Sequence, residues 1–320
     1  MKVSAMDNDV TVTVRNKRDL ISGQIVELEF ASADSTPLPN WEPGAHIEMV
    51  LPSSLIRHYS LCGDPRDDFY TVAVLRETQS RGGSIEIHDS INVGDTLTIR
   101  GPRNHFPLIE APHAVFFAGG IGITPLLPMM RQLSAEGRSW ELHYGGKSIA
   151  ALAYLDALEL IEGYPINIYL KDETRRIPVR EVVEKVPTSS VIYVCGPESM
   201  IDDAIAVGEG LGLNVRFERF GSSGVEISHE GDTAFEVTLQ RTGATLTVGA
   251  GERIIDVVRT VVPSVPFSCE EGFCGSCETG VLEGEPEHRD TILSPEERAA
   301  NDCMMICVGR SRSARLVLDL

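Results

Sequence analysis

Cys269-Glu-Glu-Gly-Phe-Cys274-Gly-Ser-Cys277, with Cys307 further on, is the most informative part of this 320-residue sequence. The C-x4-C-x2-C spacing with a distant fourth cysteine is typical of a plant-type [2Fe-2S] cluster, in which four thiolates hold two irons. Gly272 and Gly275 suit a loop that folds tightly around such a core. A structural zinc site is the alternative, but zinc prefers paired C-x2-4-C knuckles. The spacing therefore predicts an iron–sulfur cluster.

Two cysteines in Asn-Asp-Cys303-Met-Met-Ile-Cys307 are candidates for the fourth cluster ligand. We favour Cys307, because it begins the predicted strand Val308-Gly309-Arg310, which would anchor it. Cys303 is predicted to pack as a small apolar residue. Position alone does not exclude either cysteine.

Composition and charge narrow the class of protein. Hydrophobic residues make up 42% of the chain and charged residues 23%, as in ordinary globular proteins. The length predicts two or three domains. A net charge of −19 argues against a general nucleic-acid or anionic-membrane binder. Residues 1–10 lack the apolar core of a signal peptide, so we expect a cytoplasmic, non-membrane protein in which the cysteines stay reduced.

Strand and helix patterns divide the chain into three parts. Short strands separated by turn residues predict an antiparallel β-barrel over residues 1–106. Strictly alternating strands and helices predict a doubly wound α/β domain over 107–222, including a helix over 150–160. A polar, glycine-containing linker is predicted over 223–233, and an α+β domain holding the cysteines over 234–320.

A glycine-rich motif, Ala118-Gly119-Gly120-Ile121-Gly122-Ile123-Thr124-Pro125, lies between a predicted strand and a predicted helix. Such a turn lets a phosphate-bearing ligand approach the backbone at the amino terminus of a helix. A tight turn without a ligand is the alternative. The alternating pattern around the motif, and the second strand end at Tyr193-Val-Cys195-Gly196-Pro197-Glu198, favour a nucleotide site.

The barrel carries a third motif, Arg57-His58-Tyr59-Ser60-Leu61, together with Arg81-Gly82-Gly83-Ser84. An aromatic ring can cover a planar cofactor, a hydroxyl can bond its ring, and an arginine beside a glycine-rich helix start can hold a phosphate. Taken singly, these residues are ordinary core and surface positions. Their combination with the other two motifs favours a flavin site.

These three motifs in this order resemble the phthalate dioxygenase reductase family, which includes vanillate O-demethylase reductases and the reductases of other Rieske-type oxygenases. The resemblance covers essentially the whole chain. It implies a multidomain protein with an antiparallel FMN-binding barrel, a doubly wound NADH-binding domain and a carboxy-terminal plant-type ferredoxin domain.

The resemblance also implies roles for individual residues. Arg57 would hold the FMN phosphate, Tyr59 would pack on the flavin, and Ser60 would bond its ring. The spacing in the family supports Cys307 as the fourth cluster ligand. The implied metal ligands are Cys269, Cys274, Cys277 and Cys307. The implied cofactor-binding residues are Arg57, His58, Tyr59, Ser60, Ala73, Val74, Leu75, Gly82, Gly83, Ser84, Gly120, Gly122, Thr124, Cys195, Gly196, Pro197 and Phe220. Among these, the implied hydride-transfer residues are Ser60, Thr124, Cys195 and Phe220.

One position departs from the family pattern. Some relatives carry lysine at the position of Leu75, on the strand that would line the flavin. Arg76 and Arg81 are candidates to supply the missing cation.

The function that the resemblance implies is electron transfer from NADH through FMN and the [2Fe-2S] cluster to a Rieske-type terminal oxygenase. Alternatives are a reductase for a cytochrome P450 or a ferredoxin, and an iron–sulfur redox sensor without turnover. The chain alone is expected to be a monomer. Residues 235–320 contain 14 acidic and eight basic residues, including Glu270 and Glu271 beside Cys269. These acids are either solvated surface charges or a rim that steers a basic partner.

Overall fold

The structure, a computed structural model, describes residues 9–77, 82–173, 176–221, 231–267 and 269–320. The chain divides into two compact units, Met1–Arg219 and Phe220–Leu320. This boundary falls inside the range 107–222 predicted for one domain, and the predicted linker 223–233 lies mostly outside the described residues. In the described part of the chain, no helix is both long and apolar enough to span a bilayer.

The first unit begins with an antiparallel barrel. Its sheet has the order β4-β3-β6-β1-β2-β5, and an isolated bridge pairs Leu61, the residue after β4, with Val72 of the other edge strand, β5. Alternating side chains such as Val12 and Val14 fill the interior, because successive strand residues point to opposite faces. The elements are β1 (Val10–Ile21), β2 (Ile25–Ser32), β3 (His46–Val50), β4 (Ile56–Ser60), β5 (Tyr70–Leu75), α1 (Gly83–Ser90) and β6 (Thr96–Arg103).

A five-stranded parallel sheet follows in the same unit. Its strand order, β11-β10-β7-β8-β9, is that of a doubly wound fold, in which the order of successive strands reverses between β7 and β10. The central strands are apolar on both faces because helices cover both. The elements are β7 (His113–Gly119), α2 (Leu126–Ala135), β8 (Ser139–Gly146), α3 (Leu155–Glu159), β9 (Ile166–Leu170), α4 (Val179–Val183), β10 (Val191–Cys195), α5 (Glu198–Leu211) and β11 (Asn214–Glu218), with 3₁₀ turns at Gly120–Ile123, Ile149–Ala151 and Lys171–Glu173.

The predicted helix over 150–160 is wrong in its first half. Only Leu155–Glu159 is α-helical, after the 3₁₀ turn Ile149–Ala151. Tyr154 stands between them with a left-handed φ of 61°, which interrupts a helix. Its hydroxyl donates to Glu27 Oε2 at 2.8 Å and lies 3.2 Å from Cys62 Sγ, so contacts with the barrel override the local helical pattern.

The second unit is a mixed sheet with two short helices. The sheet order is β13-β12-β18-β14-β16, and β15 pairs separately with β17. One hydrophobic core contains α6 and the sheet and includes Cys277 and Cys307. The elements are β12 (Phe235–Leu239), β13 (Thr245–Val248), α6 (Ile254–Arg259), β14 (Glu278–Glu283), β15 (Pro286–Glu287), α7 (Pro295–Ala300), β16 (Cys303–Met305), β17 (Arg310–Ser311) and β18 (Arg315–Leu318). The predicted fold class, a barrel, a doubly wound domain and an α+β domain, is confirmed.

Candidate functional site

Strand β4 and the start of α1 form a cradle suited to a phosphate. Arg57 and Tyr59 lie on one face of β4, opposite Met49 and Ile47 of β3. The Arg57 side chain packs so closely on Gly83 that a Cβ there would overlap it. Among the described side chains, none caps the amino terminus of α1, where Gly82 has a φ of 90°. A guanidinium beside backbone amides at a helix start is a suitable anion site.

Two other predicted residues of this region have different neighbours. His58 lies on the opposite face of β4, where its ring centroid is 5.3 Å from that of His46 and its Nε2 is 4.0 Å from Glu48 Oε1. The structure therefore does not bring His58 together with Arg57 and Tyr59. Ser84 lies at the start of α1, and its hydroxyl accepts a 3.1 Å hydrogen bond from the Glu77 amide.

Strand β5 carries three of the predicted flavin-binding residues. It is an edge strand of the sheet, and Ala73, Val74 and Leu75 pair with β2 on one side. Leu75 is half-buried and brings no charge. Arg76 forms a bidentate ion pair with Asp89 at 2.6 and 2.8 Å, so this guanidinium is already engaged. Arg81, the other candidate to replace the missing lysine, lies outside the described residues.

The carboxyl ends of β7 and β10 lie side by side at the point where the strand order of the parallel sheet reverses. Ligands of doubly wound sheets bind in the crevice at this point. A Cβ on Gly122 would overlap the Cys195 carbonyl, and one on Gly119 would overlap Pro197, so both glycines are required for the two loops to approach. Gly120 has a φ of 54° with open space beside it. The glycine motif and the Cys195-Gly196-Pro197 motif thus lie against each other at the point where a doubly wound sheet has its ligand crevice.

Thr124 stabilises the floor of this crevice. Its hydroxyl donates to the Ile121 carbonyl at 2.9 Å, and its amide donates to the same oxygen. The side chain is buried. In this structure Thr124 therefore closes the 3₁₀ turn that shapes the glycine motif.

Glu218, at the end of β11, joins the barrel to the crevice. The Ser60 hydroxyl donates to Glu218 Oε2 at 2.9 Å across 158 positions of sequence. Burial raises the pKa of Glu218 to about 7, although the hydrogen bond from Ser60 acts in the opposite direction and lowers that pKa. Burial, and then the nearby Glu218 charge, raises the pKa of the Cys195 thiol well above its ordinary value, so this thiol stays protonated at neutral pH. Ser60, Cys195 and Glu218 therefore form one polar group.

Sequence reasoning did not assign a role to Glu218. The feature that could have indicated a role is the position of Glu218. It is a carboxylate at the carboxyl end of a strand in a doubly wound sheet, two residues before the predicted Phe220. Phe220 itself opens the second unit and is 46% exposed, which makes it one of the more exposed large apolar side chains among the described residues.

The predicted cluster ligands are brought together. All four thiols are buried, and none is in a disulfide. Cys269 is in side-chain contact with Cys274 and Cys307, and Cys307 is also in contact with Cys277. In the described residues no three His, Cys, Asp or Glu side chains form a group for a metal ion. A two-iron cluster spreads its four thiolates over two metals, so convergence on one point is not needed.

The strand Val308-Gly309-Arg310, predicted to begin at Cys307, is wrong in its bounds. Cys303 begins strand β16, whereas Cys307 lies in a turn before β17, which starts only at Arg310. The contacts nevertheless distinguish the two cysteines. Cys307 contacts two other cysteines, and the charges that act on Cys303 are those of Glu278, Asp302 and Glu297.

Backbone amides of the cysteine loop point at sulfur. The Glu271 amide donates to Cys269 Sγ at 3.4 Å, and the Gly272 amide bonds the sulfur of Cys307. Gly272 and Gly275 have φ values of 76° and 79°, as expected for this loop. A Cβ on Gly272 would also come 2.7 Å from Val308. Amide–sulfur bonds of this kind stabilise thiolate ligands, so the residues fit a [2Fe-2S] cluster.

Comparisons with known proteins agree with this geometry. Residues 237–311 match the 2Fe-2S iron-sulfur cluster binding domain family. A toluene-4-sulfonate monooxygenase system reductase subunit of Comamonas testosteroni is 38% identical over 98% of this chain and 100% of its own length. The solved structure of phthalate dioxygenase reductase, described as modular and as serving electron transfer from pyridine nucleotides to [2Fe-2S], is similar to this chain. The identity is 36%, the match covers 98% of both chains, and the TM-score is 0.69. The chain belongs to the phthalate dioxygenase reductase family.

As a member of the phthalate dioxygenase reductase family, the protein is an oxidoreductase with a [2Fe-2S] domain. It also resembles part of a larger protein. An intact type IV self-sufficient cytochrome P450 monooxygenase matches all of this chain with 36% identity and a TM-score of 0.90. This chain spans only 43% of that protein.

Proposed function

We propose that the protein is the NADH-dependent reductase component of an oxygenase system, passing electrons through FMN and a [2Fe-2S] cluster to a Rieske-type terminal oxygenase. The observation that carries the proposal is the Ser60–Glu218 hydrogen bond, because it joins the flavin strand β4 to the nucleotide crevice. A bound flavin would accept a hydride from the nucleotide and give up its electrons singly to the cluster.

The residues of this chain would bind, orient and shield these groups. Arg57 and the amides at residues 82–84 would hold the flavin phosphate. Ser60 and Glu218 would hold a proton beside the reacting ring, and the neutral Cys195 thiol would pack against the nicotinamide. Cys269, Cys274, Cys277 and Cys307 would hold the cluster in a buried, water-poor pocket.

The flavin is proposed to be FMN because α1 and Arg57 form a compact site for one phosphate. The dinucleotide is proposed to be NADH. A 2′-phosphate normally calls for several cations after the second strand of the nucleotide domain, whereas β8 is followed by Lys147. The amide of Asp172 donates to the Lys147 carbonyl at 3.1 Å, which places a carboxylate-bearing residue beside that lysine.

The expected result is that released flavin has the mass of FMN and that cytochrome c reduction is at least about tenfold faster with NADH than with NADPH at low concentration. The measurements are mass analysis of the heat-released flavin and kcat/KM for each nucleotide. Stoichiometric FAD, or equal use of NADPH, would contradict the respective assignment.

A second candidate acceptor is a cytochrome P450, favoured by the similarity to the self-sufficient monooxygenase. Stopped-flow mixing of the NADH-reduced protein with a purified Rieske oxygenase and, separately, with a purified bacterial P450 distinguishes the two. We expect the larger second-order rate constant with the Rieske oxygenase. Faster reduction of the P450 would favour the second candidate.

Gly122→Ala is expected to raise the KM for NADH by at least about tenfold, because the added methyl group meets the Cys195 backbone, which cannot yield like a side chain. Steady-state kinetics with NADH measure this effect. The control is Gly210→Ala, in the exposed part of α5, where a Cβ meets nothing within 4 Å. A normal KM in Gly122→Ala would show that the crevice is not the nucleotide site.

A further inference from the structure

Arg253 connects α6 to the cysteine loop. Its Nη1 donates to Glu270 Oε2 at 2.7 Å, one residue after Cys269. The same guanidinium donates through Nε and Nη2 to Asp256, at 2.7 and 2.9 Å. The bidentate pair with Asp256 fixes the plane of the guanidinium, and therefore the direction in which Nη1 points. Glu270 was one of the acids predicted to be solvated or to form a docking rim, but its charge is already paired.

Helix α6, which begins directly after Arg253, is anchored in the core of this unit. Ile254, Ile255 and Val258 of α6 are buried in the core of this unit. The Ile255 amide donates to the Ile306 carbonyl at 3.1 Å, next to Cys307. Arg253 therefore reaches Glu270 from the start of α6, and α6 is hydrogen-bonded to the segment that carries Cys307.

Glu270 has a backbone conformation that residues with a Cβ avoid. Its φ is 60°, in the left-handed region. The turn at Glu270 is followed by two amides that bond the sulfur of Cys269, those of Glu271 and Phe273. The unfavourable conformation at Glu270 therefore aims backbone donors at a predicted cluster ligand.

A small cavity shows that the ion pair also lies near Cys307. Its volume is about 40 Å³, and Arg253, Glu270 and Cys307 are among the residues that line it. The Arg253–Glu270 pair is thus beside two of the four predicted ligands.

We propose that Arg253 is a positioning residue for the iron–sulfur cluster, whose ion pair with Glu270 holds the left-handed turn that directs backbone amides at Cys269. The inference rests on the proposed ligand set. Without the pair, Glu270 relaxes from its left-handed conformation, and the amide–sulfur bonds weaken. Such bonds stabilise thiolate ligands and raise cluster potentials, so their loss makes the cluster easier to strip and harder to reduce.

The test compares two substitutions that remove the same carboxylate. Glu270→Ala keeps a Cβ that disfavours the left-handed region, whereas Glu270→Gly adopts that region without strain. In the purified full-length protein, the alanine variant is expected to release iron to a chelator at least about fivefold faster than the glycine variant. Its cluster midpoint potential, from an EPR-monitored redox titration, is expected to be lower than that of the glycine variant.

Arg253→Gln separates positioning from charge. In the Glu270 background it should speed iron release and lower the midpoint potential. In the Glu270→Gly background it should leave the rate of iron release unchanged, because no strained turn remains to be held. Arg241→Gln with Asp319→Asn removes an exposed bidentate pair of the same unit and is the control.

Equal iron release and equal potentials in the alanine and glycine variants would overturn the proposal, whether both resemble the unsubstituted protein or both fail to assemble a cluster. A glycine variant that assembles a cluster where the alanine variant does not would support it. Failure of the ligand set has a different signature. In that case the unsubstituted protein itself would lack a [2Fe-2S] EPR signal.

Discussion

Replacing Cys307 with serine is expected to slow NADH-dependent cytochrome c reduction by at least about a hundredfold, while NADH still reduces the bound flavin at close to the normal rate. The reason is that Cys307 contacts both Cys269 and Cys277 and so belongs to the group of thiols that would hold the cluster. The predicted flavin strand β4 and the predicted nucleotide crevice belong to the other unit of the chain. Stopped-flow absorbance of the flavin and steady-state cytochrome c reduction measure the two steps.

Cys303→Ser is the matched control for this prediction. Cys303 is half-buried on strand β16, four residues before Cys307, and removing its thiol should leave the iron content and cytochrome c reduction within about twofold of normal. The opposite pattern, in which the Cys303 variant loses iron and the Cys307 variant keeps it, would refute the ligand assignment.

Ser60→Ala is expected to slow flavin reduction by NADH about tenfold to a hundredfold, the usual cost of removing one positioned hydrogen-bond donor at a reacting centre. The Ser60 hydroxyl donates to Glu218 at 2.9 Å while that carboxyl is ionised. When Glu218 is protonated, it can donate to Ser60 instead, which leaves the serine hydrogen free for the flavin. The limiting rate of flavin reduction in stopped-flow experiments measures this effect.

The same hydrogen bond predicts a pH dependence. Burial raises the pKa of Glu218 to about 7, so the carboxyl is mostly protonated below that pH and mostly ionised above it. The limiting rate of flavin reduction should therefore fall as the pH rises through 7. Glu218→Gln, which can donate at every pH, should remove this dependence. A Glu218→Gln variant with the normal pH profile would show that another group titrates.

Much of the architecture could be predicted because it is encoded locally. The apolar runs that become β7 and β10 and the turn residues of the barrel follow from short-range patterns. The capping box formed by Ser294 and Glu297, which begins α7, is an equally local signal.

The rest depended on contacts between distant residues. Ser60 and Glu218 are 158 positions apart, and no periodicity indicates that the end of β11 approaches β4. Tyr154 leaves the helical conformation because its hydroxyl bonds Glu27, 127 positions earlier. In the sequence, Glu270 is a candidate docking charge. In the structure, it forms an ion pair with Arg253, 17 positions away.

Anaerobic titration of the purified protein with NADH, followed by absorbance and EPR, tests whether one chain carries electrons from NADH through a flavin to a [2Fe-2S] cluster. A flavin takes two electrons and a [2Fe-2S] cluster takes one, so complete reduction should consume about 1.5 equivalents of NADH per chain. We expect bleaching of the flavin together with the EPR signal of a reduced [2Fe-2S] cluster. Flavin bleaching at about one equivalent, with no cluster signal on further addition of NADH, would contradict it.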